Sequence, residues 1–259
     1  ANIACLPGGS AANFKLMQHL FSTRIRQFFA TVPVPCPYLP MRSEQKLVME
    51  IRPGGIAQLH TDLSRAGFRR SHHLAYRPAC QGCQACVPVR INAHAHTPSR
   101  SMKRIWRNFA YLRASFGPPI ATSEHFALFN DYVKTRHGGS EMAMMDQTDF
   151  AAMVEDSPVQ TKLLSLRDQD GKLVAACICD QLGDGLSAVY SYFDPAAQGS
   201  LGSHIVLRLV EAAREQGNDA YVYLGYWIDG SQTMAYKRRF PGIEALIDGV
   251  WRPVEPLSP

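Results

Sequence analysis

Three cysteines follow one another at two-residue intervals in this chain, and a fourth lies upstream of them. The three are Cys80, Cys83 and Cys86, and the fourth is Cys36. Short spacers bring neighbouring sulfurs onto one ion without strain, so this spacing is typical of zinc and iron–sulfur sites. The alternative is a cluster of reduced, partly buried thiols, because cysteine is often buried in proteins. The spacing leaves both interpretations open.

A run of basic residues forms a second candidate site. Ser99 is a suitable N-cap and Gly117 a suitable end, so the pattern predicts one helix from residue 99 to residue 117. At about 100° per residue, the basic side chains gather on one face, opposite an apolar face. These side chains are Arg100, Lys103, Arg104 and Arg107. A solvated helix face would look the same.

The surroundings of this basic face favour an anionic ligand. No Asp or Glu occurs from Ala95 to Ala121. Guanidinium groups match phosphate oxygens in geometry, and fixed positive charges release the counterions that surround polyanions. A second basic run, Lys237 to Arg239, lies near the C-terminus.

Length and composition bound the class of protein. The chain has 259 residues, of which 46% are apolar and 19% charged, as is typical of a globular protein. No apolar stretch approaches the ~20 residues of a membrane-spanning helix, so we expect no membrane partner. We read residues 1–13 as a flexible leader without signal-peptide character and expect a cytoplasmic protein. The odd number of cysteines, seven, disfavours a disulfide framework.

The elements that position these residues change in character along the chain. Strands alternate with a helix up to the cysteine turn, which predicts an N-terminal Cys-containing lobe over residues 14–117 with the basic helix at its end. Residues 118–259 begin with two amphipathic helices. A meander of three strands follows, then a glycine-bearing turn, a helix and another strand. That order predicts a mixed α/β (α+β) fold with a GNAT-like acyltransferase domain.

Acyltransferases of this type bind the pyrophosphate of coenzyme A with backbone N–H groups at the glycine-bearing turn. Here Leu201 stands where the first glycine of the usual pattern belongs. A coenzyme A cradle is therefore poorly supported, and the acyl donor becomes the question.

Several separate motifs lie between about Cys36 and Glu244. They are Cys36-Pro37-Tyr38-Leu39-Pro40, Gly67-Phe68-Arg69-Arg70-Ser71, Tyr76-Arg77-Pro78 with the cysteine triplet, Tyr192-Phe193-Asp194-Pro195, Leu224-Gly225-Tyr226-Trp227-Ile228 and Met234-Ala235-Tyr236-Lys237. Together these motifs resemble those of the bacterial aspartate/glutamate leucyltransferases, a branch of the arginyl-tRNA–protein transferase family.

The resemblance implies transfer of an aminoacyl group, expected to be leucine, from aminoacyl-tRNA to the α-amine of proteins that begin with Asp or Glu. The product would be an N-degron that directs proteolysis. An aminoacyl ester is already activated, so the chemistry requires no cofactor and no covalent intermediate. The resemblance also suggests zinc or an iron–sulfur cluster at Cys36, Cys80, Cys83 and Cys86.

Three sets of residues are candidates for this reaction. Tyr192 and Asp194 are candidates for catalysis, as groups that position the amine or handle its proton. Core packing of Tyr192 and a turn at Asp194 are the plainer alternatives. The candidates for substrate binding are Arg42, Arg69, Arg77, Tyr226 and Lys237. The candidates for tRNA binding are Arg100, Lys103, Arg104, Arg107, Arg238 and Arg239.

Two other functions fit part of the pattern. A coenzyme A-dependent N-acetyltransferase fits the order of the elements, and a non-catalytic zinc-stabilised RNA-binding module fits the cysteines and the basic helix.

Overall fold

The computed structural model describes residues 27–52, 56–217 and 220–256. The predicted leader, residues 1–13, lies outside them. Fourteen strands occur among the described residues: β1 Phe29–Ala30, β2 Val34–Pro35, β3 Ser43–Glu44, β4 Lys46–Glu50, β5 Arg69–Ser71, β6 Leu74–Pro78, β7 Cys86–Asn92, β8 Arg113–Gly117, β9 Thr161–Arg167, β10 Leu173–Leu182, β11 Gly185–Phe193, β12 Tyr221–Ile228, β13 Ile243–Ile247 and β14 Val250–Pro253. The α-helices are α1 Ile56–Arg65, α2 Arg100–Asn108, α3 Ser123–His137, α4 Gln147–Glu155, α5 Leu201–Arg214 and α6 Gln232–Ala235, and the 3-10 helices are Glu141–Met144 and Tyr236–Arg239.

Eight strands form one large sheet in the order β14-β13-β7-β12-β11-β10-β9-β8. Neighbours are antiparallel except β11 and β12, which run parallel because α5 connects them as a crossover. The meander β9-β10-β11, the helix α5 and the strand β12 confirm the predicted mixed, GNAT-like order. Among the described helices, none combines the length and apolar character needed to cross a membrane.

Both faces of the large sheet are covered. On one face α2 and α5 bury residues such as Met102, Ile205 and Leu209 against Val89 and Leu186. On the other face α3 and α4 form a second cluster, which includes Phe129 and Phe150. Successive residues of β10 point alternately to the two clusters, as the period of a strand requires.

A small sheet of strand order β1-β4-β6-β5 packs with α1 beside the large sheet. A buried ion pair joins the two sheets, because Arg70 on β5 binds both carboxylate oxygens of Asp180 on β10 at 2.7 and 2.8 Å. His60 of α1 lies 3.6 Å from the same carboxylate. These contacts fix β5 against the large sheet.

The predicted helix over residues 99–117 is wrong in its second half. Ser99 is the N-cap, since its side chain accepts from the N–H of Met102, but α2 ends at Asn108. Residues Arg113–Gly117 instead form the edge strand β8, paired antiparallel with β9. Pairing with β9 satisfies the backbone there, and local periodicity carries no sign of that distant partner.

The large sheet crosses the division between residues 117 and 118 that the sequence suggested. It takes β7 and β8 from the first part of the chain and the remaining strands from the second. The predicted last strand near Ala245 to Trp251 is a hairpin, β13 and β14, with its turn at Asp248 and Gly249, both at positive φ.

Candidate active site

The two parallel strands at the centre of the large sheet separate after three residue pairs. β11 and β12 pair from Gly185 with Tyr221 to Ser187 with Tyr223, although both strands continue further. Beyond Ser187, each strand pairs only with its outer neighbour, β10 or β7. We call the resulting gap the split. Backbone groups that face it need partners other than a neighbouring strand.

Each strand carries an irregularity where the split begins. Opposite β10, Val189 is an extra residue, because Ala188 and Tyr190 pair with consecutive residues of β10. Opposite β7, Leu224 is skipped in the same way. Such bulges bend strands and redirect backbone groups. The split is therefore built into both strands.

Arg69 of β5 bridges the split. Its Nη2 donates to the carbonyl oxygens of Ala188 and Val189, each at 2.7 Å, and its Nη1 donates to that of Leu224 at 3.2 Å. The guanidinium thus replaces the missing ladder between β11 and β12. Sequence reasoning proposed Arg69 as a substrate-binding cation, but the structure gives the side chain this bridging task.

Gly225 makes room for that guanidinium. Its φ is +73°, and a Cβ built there would lie 1.6 Å from Nη1 of Arg69. A residue with a side chain would be strained by its backbone angle and would also displace Arg69. The glycine of the Leu224-Gly225-Tyr226 motif is thus required by the split.

Lys237 lies beside the same strand, in the 3-10 helix that follows α6. It is 5% exposed, and its Nζ donates to the carbonyl oxygen of Tyr226 at 2.7 Å. Burial, and then the charge of Arg69, lower the pKa of Lys237 to about 7. Within the described residues, neither cation has a carboxylate within ion-pair distance. The structure therefore brings Lys237 and Arg69 together without a counterion.

Tyr226, whose carbonyl oxygen accepts from Lys237, lines a cavity of about 710 Å³. Its hydroxyl donates within the N-terminal lobe, 2.9 Å from the carbonyl oxygen of Gly67 and 3.1 Å from that of Tyr76. Arg77, which is exposed and lies over the ring of Phe68 at 5.3 Å, also lines this cavity. Tyr226 and Arg77 therefore share a space large enough for a short peptide segment.

The four predicted metal ligands are neighbours near this cavity. Burial, and then the other three thiols, raise the pKa of Cys86 to about 11. A hydrogen bond from the N–H of Ala85, and then the side chain of Arg42, lower the pKa of Cys83. All six cysteines in the described part of the chain are free thiols. That part holds no group of three or more His, Cys, Asp or Glu side chains arranged to bind a metal ion.

Of the two residues proposed for catalysis, Tyr192 lies on β11 beyond Ser187, where that strand flanks the split, and Asp194 follows the end of the strand. Tyr192 is fully buried between Phe129 and Phe150, beneath α3 and α4, so its ring belongs to the core. Asp194 accepts the N–H of Ala196 at 2.9 Å and forms the turn that leads toward α5. The structure supports the plainer role for each of them.

The predicted tRNA-binding residues fall into two groups. The four basic side chains of α2 are all exposed, and its apolar face is buried as the periodicity indicated. In the C-terminal run, Arg239 is exposed, but Arg238 stacks on Trp227 at 4.7 Å and donates to the carbonyl oxygen of Glu255. The basic face of α2 is therefore the better placed of the two.

Two features of the site escaped sequence reasoning. The bridging role of Arg69 depends on strand pairing that is distant in sequence, and the bulges at Val189 and Leu224 leave no local signal. Gly225 could have been found, since an isolated glycine in a strand pattern indicates a bulge or a close backbone approach.

Comparisons with known proteins agree with this arrangement. Residues 34–104 match the family model of the arginine-tRNA-protein transferase N terminus, and residues 124–247 match that of its C terminus. A protein of Paramagnetospirillum magneticum named aspartate/glutamate leucyltransferase is 49% identical over 93% of this chain and 98% of its own length. One of the same name from Granulibacter bethesdensis is 50% identical over 88% of this chain and 85% of its own.

Among solved structures, L-PGS from Bacillus licheniformis aligns with a TM-score of 0.45 at 12% identity, over 56% of this chain and 48% of that one. The relatives and the two family models, taken together, decide the family. The chain is an enzyme that belongs to the arginine-tRNA-protein transferase family.

Proposed function

We propose that this enzyme transfers leucine from leucyl-tRNA to the α-amine of proteins that begin with Asp or Glu. The relatives that match nearly the whole chain are named for that activity. The observation that carries the proposal is the split, with Lys237 and Arg69 beside it, in a member of this family. Leu201, which stands where a coenzyme A cradle would have its first glycine, also favours a different acyl donor. We expect the products to act as N-degrons, and we expect the reaction in the cytoplasm because it uses charged tRNA.

The reaction joins an amine to an ester carbon that the tRNA has already activated. As the N–C bond forms, the carbonyl oxygen gains negative charge, and the amine must lose a proton. As the C–O bond to the ribose breaks, the departing oxygen needs a proton. One group that accepts and then returns the proton serves both steps. Alignment and charge stabilisation provide the remaining acceleration.

Lys237 is suited to that proton transfer. With a pKa of about 7, it is neutral in a large fraction of molecules at neutral pH. The neutral amine can accept the proton of the attacking nitrogen, and the ammonium it becomes can return that proton to the ribose oxygen. The bond to the carbonyl oxygen of Tyr226 uses one hydrogen of Nζ. We therefore assign proton transfer to Lys237 rather than to Tyr192 or Asp194.

The acceptor protein needs a cation for its acidic side chain. Arg77 is exposed at the wall of the cavity beside Tyr226, and its stacking on Phe68 holds the plane of its guanidinium. A guanidinium binds a carboxylate through two parallel hydrogen bonds. We assign the acidic side chain of the acceptor to Arg77, with Arg42 nearby at the thiol turn.

The metal at the four thiols remains a separate proposal. The transfer of an activated ester to an amine does not need a metal ion. Metal analysis of protein purified without oxygen tests it. Zinc or iron in a fixed ratio to protein would support the proposal, and metal-free, unlinked thiols would reject it.

The experiment for the function offers three donors to the same peptide. The protein is incubated with leucyl-tRNA, arginyl-tRNA or acetyl-coenzyme A and a peptide that begins with Asp, and the products are identified by mass. We expect leucylated peptide, and no product from a peptide that begins with Lys. Acetylated peptide alone would support an N-acetyltransferase, and no product from any donor would support a non-catalytic RNA-binding module.

A further inference from the structure

A second cavity, of about 670 Å³, lies between α2 and α5. Apolar side chains form its walls: Met102 and Trp106 from α2, and Leu207 and Val210 from α5. His96 and Pro98, which precede α2, also line it. We call this space the α2–α5 groove. It is distinct from the cavity at Tyr226, because the two share no residue.

The groove extends away from the end of α5 that lies nearest the split. At that end Trp106 contacts His204 with 5.4 Å between ring centroids, and His204 lies one turn from the start of α5. At the other end Arg214 donates to the carbonyl oxygens of Ala93 and His96. Helix α5 has 14 residues and is about 20 Å long. The groove therefore begins near the N-terminal end of α5, the end that follows β11, and runs along the helix away from it.

The charge along the groove is positive. Arg100, Lys103 and Arg107 are exposed and line it on the α2 side. The one acidic lining residue is Glu211, whose carboxylate accepts from Arg208 at 3.1 Å. An apolar floor beside several cations fits a ligand that has both flat apolar rings and negative charges.

One wall of the groove also carries an unsatisfied polar atom. His96 is 3% exposed, its Nδ1 bonds to the carbonyl oxygen of Pro241, and its Nε2 has no hydrogen-bond partner in the described part of the chain. Burial lowers the pKa of His96, which favours the neutral ring. The carbonyl oxygen of Pro241 can only accept, so Nδ1 holds the proton and Nε2 is an acceptor. Buried polar atoms are usually paired, so this atom is an independent sign of a missing donor.

We propose that the α2–α5 groove binds the unpaired nucleotides at the 3′ end of the aminoacyl-tRNA, with one base held beside Trp106. Bases that are unpaired can turn away from their neighbours and enter a groove of this kind, whereas bases inside an RNA double helix are held by pairing and stacking. The ester of the same RNA must lie at the split, so its neighbouring nucleotides are within reach of the groove. Their phosphates then meet Arg100, Lys103 and Arg107. This inference rests on the proposed function. It adds contacts with a base to the phosphate contacts that the basic face of α2 would make with the tRNA.

The test removes bases from the RNA and leaves the protein unchanged. Leucyl-tRNAs that carry a single abasic residue at each unpaired 3′ position in turn are compared in leucine transfer to a peptide that begins with Asp. Stacking of a base on an aromatic side chain is strong enough that its loss raises KM for tRNA about 10-fold or more. We expect that rise at one position, and no change for an abasic residue in the anticodon loop.

A variant then locates the effect. In Trp106→Leu, removal of the same base should change KM for tRNA less than twofold, because the contact is already lost. Trp251→Leu is the matched control, since Trp251 lies on β14, away from the groove. It should show the full effect of the abasic residue.

The outcomes separate this inference from the proposed function. Transfer from unmodified leucyl-tRNA with no sensitive 3′ position would overturn the groove and leave the function standing, as would an equal effect in Trp106→Leu and Trp251→Leu. No transfer from unmodified leucyl-tRNA would refute the function. In that case, equilibrium binding of the same abasic tRNAs would still show whether a 3′ base contacts the groove. The same binding measurement with wild-type protein applies if Trp106→Leu fails to fold.

Discussion

Replacing Gly225 by alanine tests whether Arg69 holds the split together. The added methyl would lie 1.6 Å from Nη1 of Arg69, 2.5 Å from its Cζ and 2.6 Å from its Cδ. The flexible tip of a side chain can sometimes move aside. Here the guanidinium is held by carbonyl oxygens of Leu224, Ala188 and Val189, so movement breaks bonds in the centre of the sheet.

The cost has two parts. A left-handed backbone at an alanine costs about 1–2 kcal/mol. Loss of a hydrogen bond from a charged group costs about 1.5–3 kcal/mol, and at least one of the three bonds to Arg69 must break. We therefore expect Gly225→Ala to lower the free energy of unfolding by about 2.5–5 kcal/mol. Leucine transfer should fall as well, because the split changes shape.

Gly249 supplies the matched control. Its φ is +76°, close to that of Gly225, but an added Cβ would have no neighbour within 4 Å. Gly249→Ala should therefore cost only the backbone strain, about 1–2 kcal/mol. Urea denaturation of both variants at one pH gives the two free energies. Equal costs for the two glycines would refute the reasoning about Arg69.

A double-mutant cycle separates the clash from other effects of Gly225. Arg69→Ala removes the guanidinium and should itself be destabilising, since three carbonyl oxygens lose their donor. In that background, Gly225→Ala should cost no more than Gly249→Ala does in the wild-type protein. The coupling energy between Arg69 and Gly225 is then the hydrogen-bond part of the cost, about 1.5–3 kcal/mol. A coupling near zero would show that the methyl group disturbs the strand in some other way.

Three further predictions follow from buried or basic side chains. Lys237→Met should abolish leucine transfer but keep tRNA binding, and the wild-type kcat/KM should rise with pH through about 7 as Lys237 loses its proton. Asp180→Asn should lower the free energy of unfolding by about 3–5 kcal/mol, because it leaves a buried arginine charge without its partner. Joint replacement of Arg100, Arg104 and Arg107 by Gln should weaken tRNA binding and make its logarithmic salt slope shallower by about 2–3.

Lys237 also predicts how stability depends on pH. Its pKa falls from 10.5 in the unfolded chain to about 7 in the folded protein. Between those values the unfolded state binds more protons, so the free energy of unfolding contributed by this group rises as pH increases from 7 toward 10. Lys237→Met should lack that rise, which urea denaturation at pH 6 and pH 9 would measure. The exposed Lys172→Met should keep it.

The other two predictions have equally simple controls. Asp170→Asn changes an exposed carboxylate in the β9–β10 turn and should alter stability by less than about 0.5 kcal/mol. If Asp180→Asn is equally mild, the buried pair with Arg70 contributes little. Arg252→Gln removes an exposed charge on β14, away from α2. A salt slope that is unchanged by the triple replacement would place the tRNA elsewhere.

Local patterns in the sequence were sufficient for most elements. Gly67 lies just after α1 and has a positive φ, as expected for a residue that caps the C-terminal end of a helix. The turn from Asp168 to Gly171 joins β9 to β10, as its sequence predicted. Those signals lie within a few residues of what they determine. Local patterns did not predict the strand β8, because that strand is stabilised by pairing with β9, about 50 residues away. Periodicity over a short window cannot report such a partner.

The candidate site shows the same division between chemistry and position. The family motifs brought out Arg69, Lys237 and Tyr226, yet the roles assigned to them depended on where their atoms lie. Arg69 was a plausible substrate cation until its three carbonyl partners were known. Asp194 and Tyr192 were proposed for catalysis from their motif, and the structure places Asp194 in a turn and the ring of Tyr192 in the core. Motifs identify important residues, and geometry decides what they contact.

The two consecutive arginines of β5 suggest why the N-terminal lobe and the split belong to one functional unit. Neighbouring side chains of a strand point to opposite sides. Arg69 therefore reaches β11 and β12 at the split, and Arg70 reaches Asp180 on β10. A shift of β5 would move both contacts together. Because β5 pairs with β6, which leads directly into the cysteine turn, the small sheet connects that turn to the strands on both sides of the split.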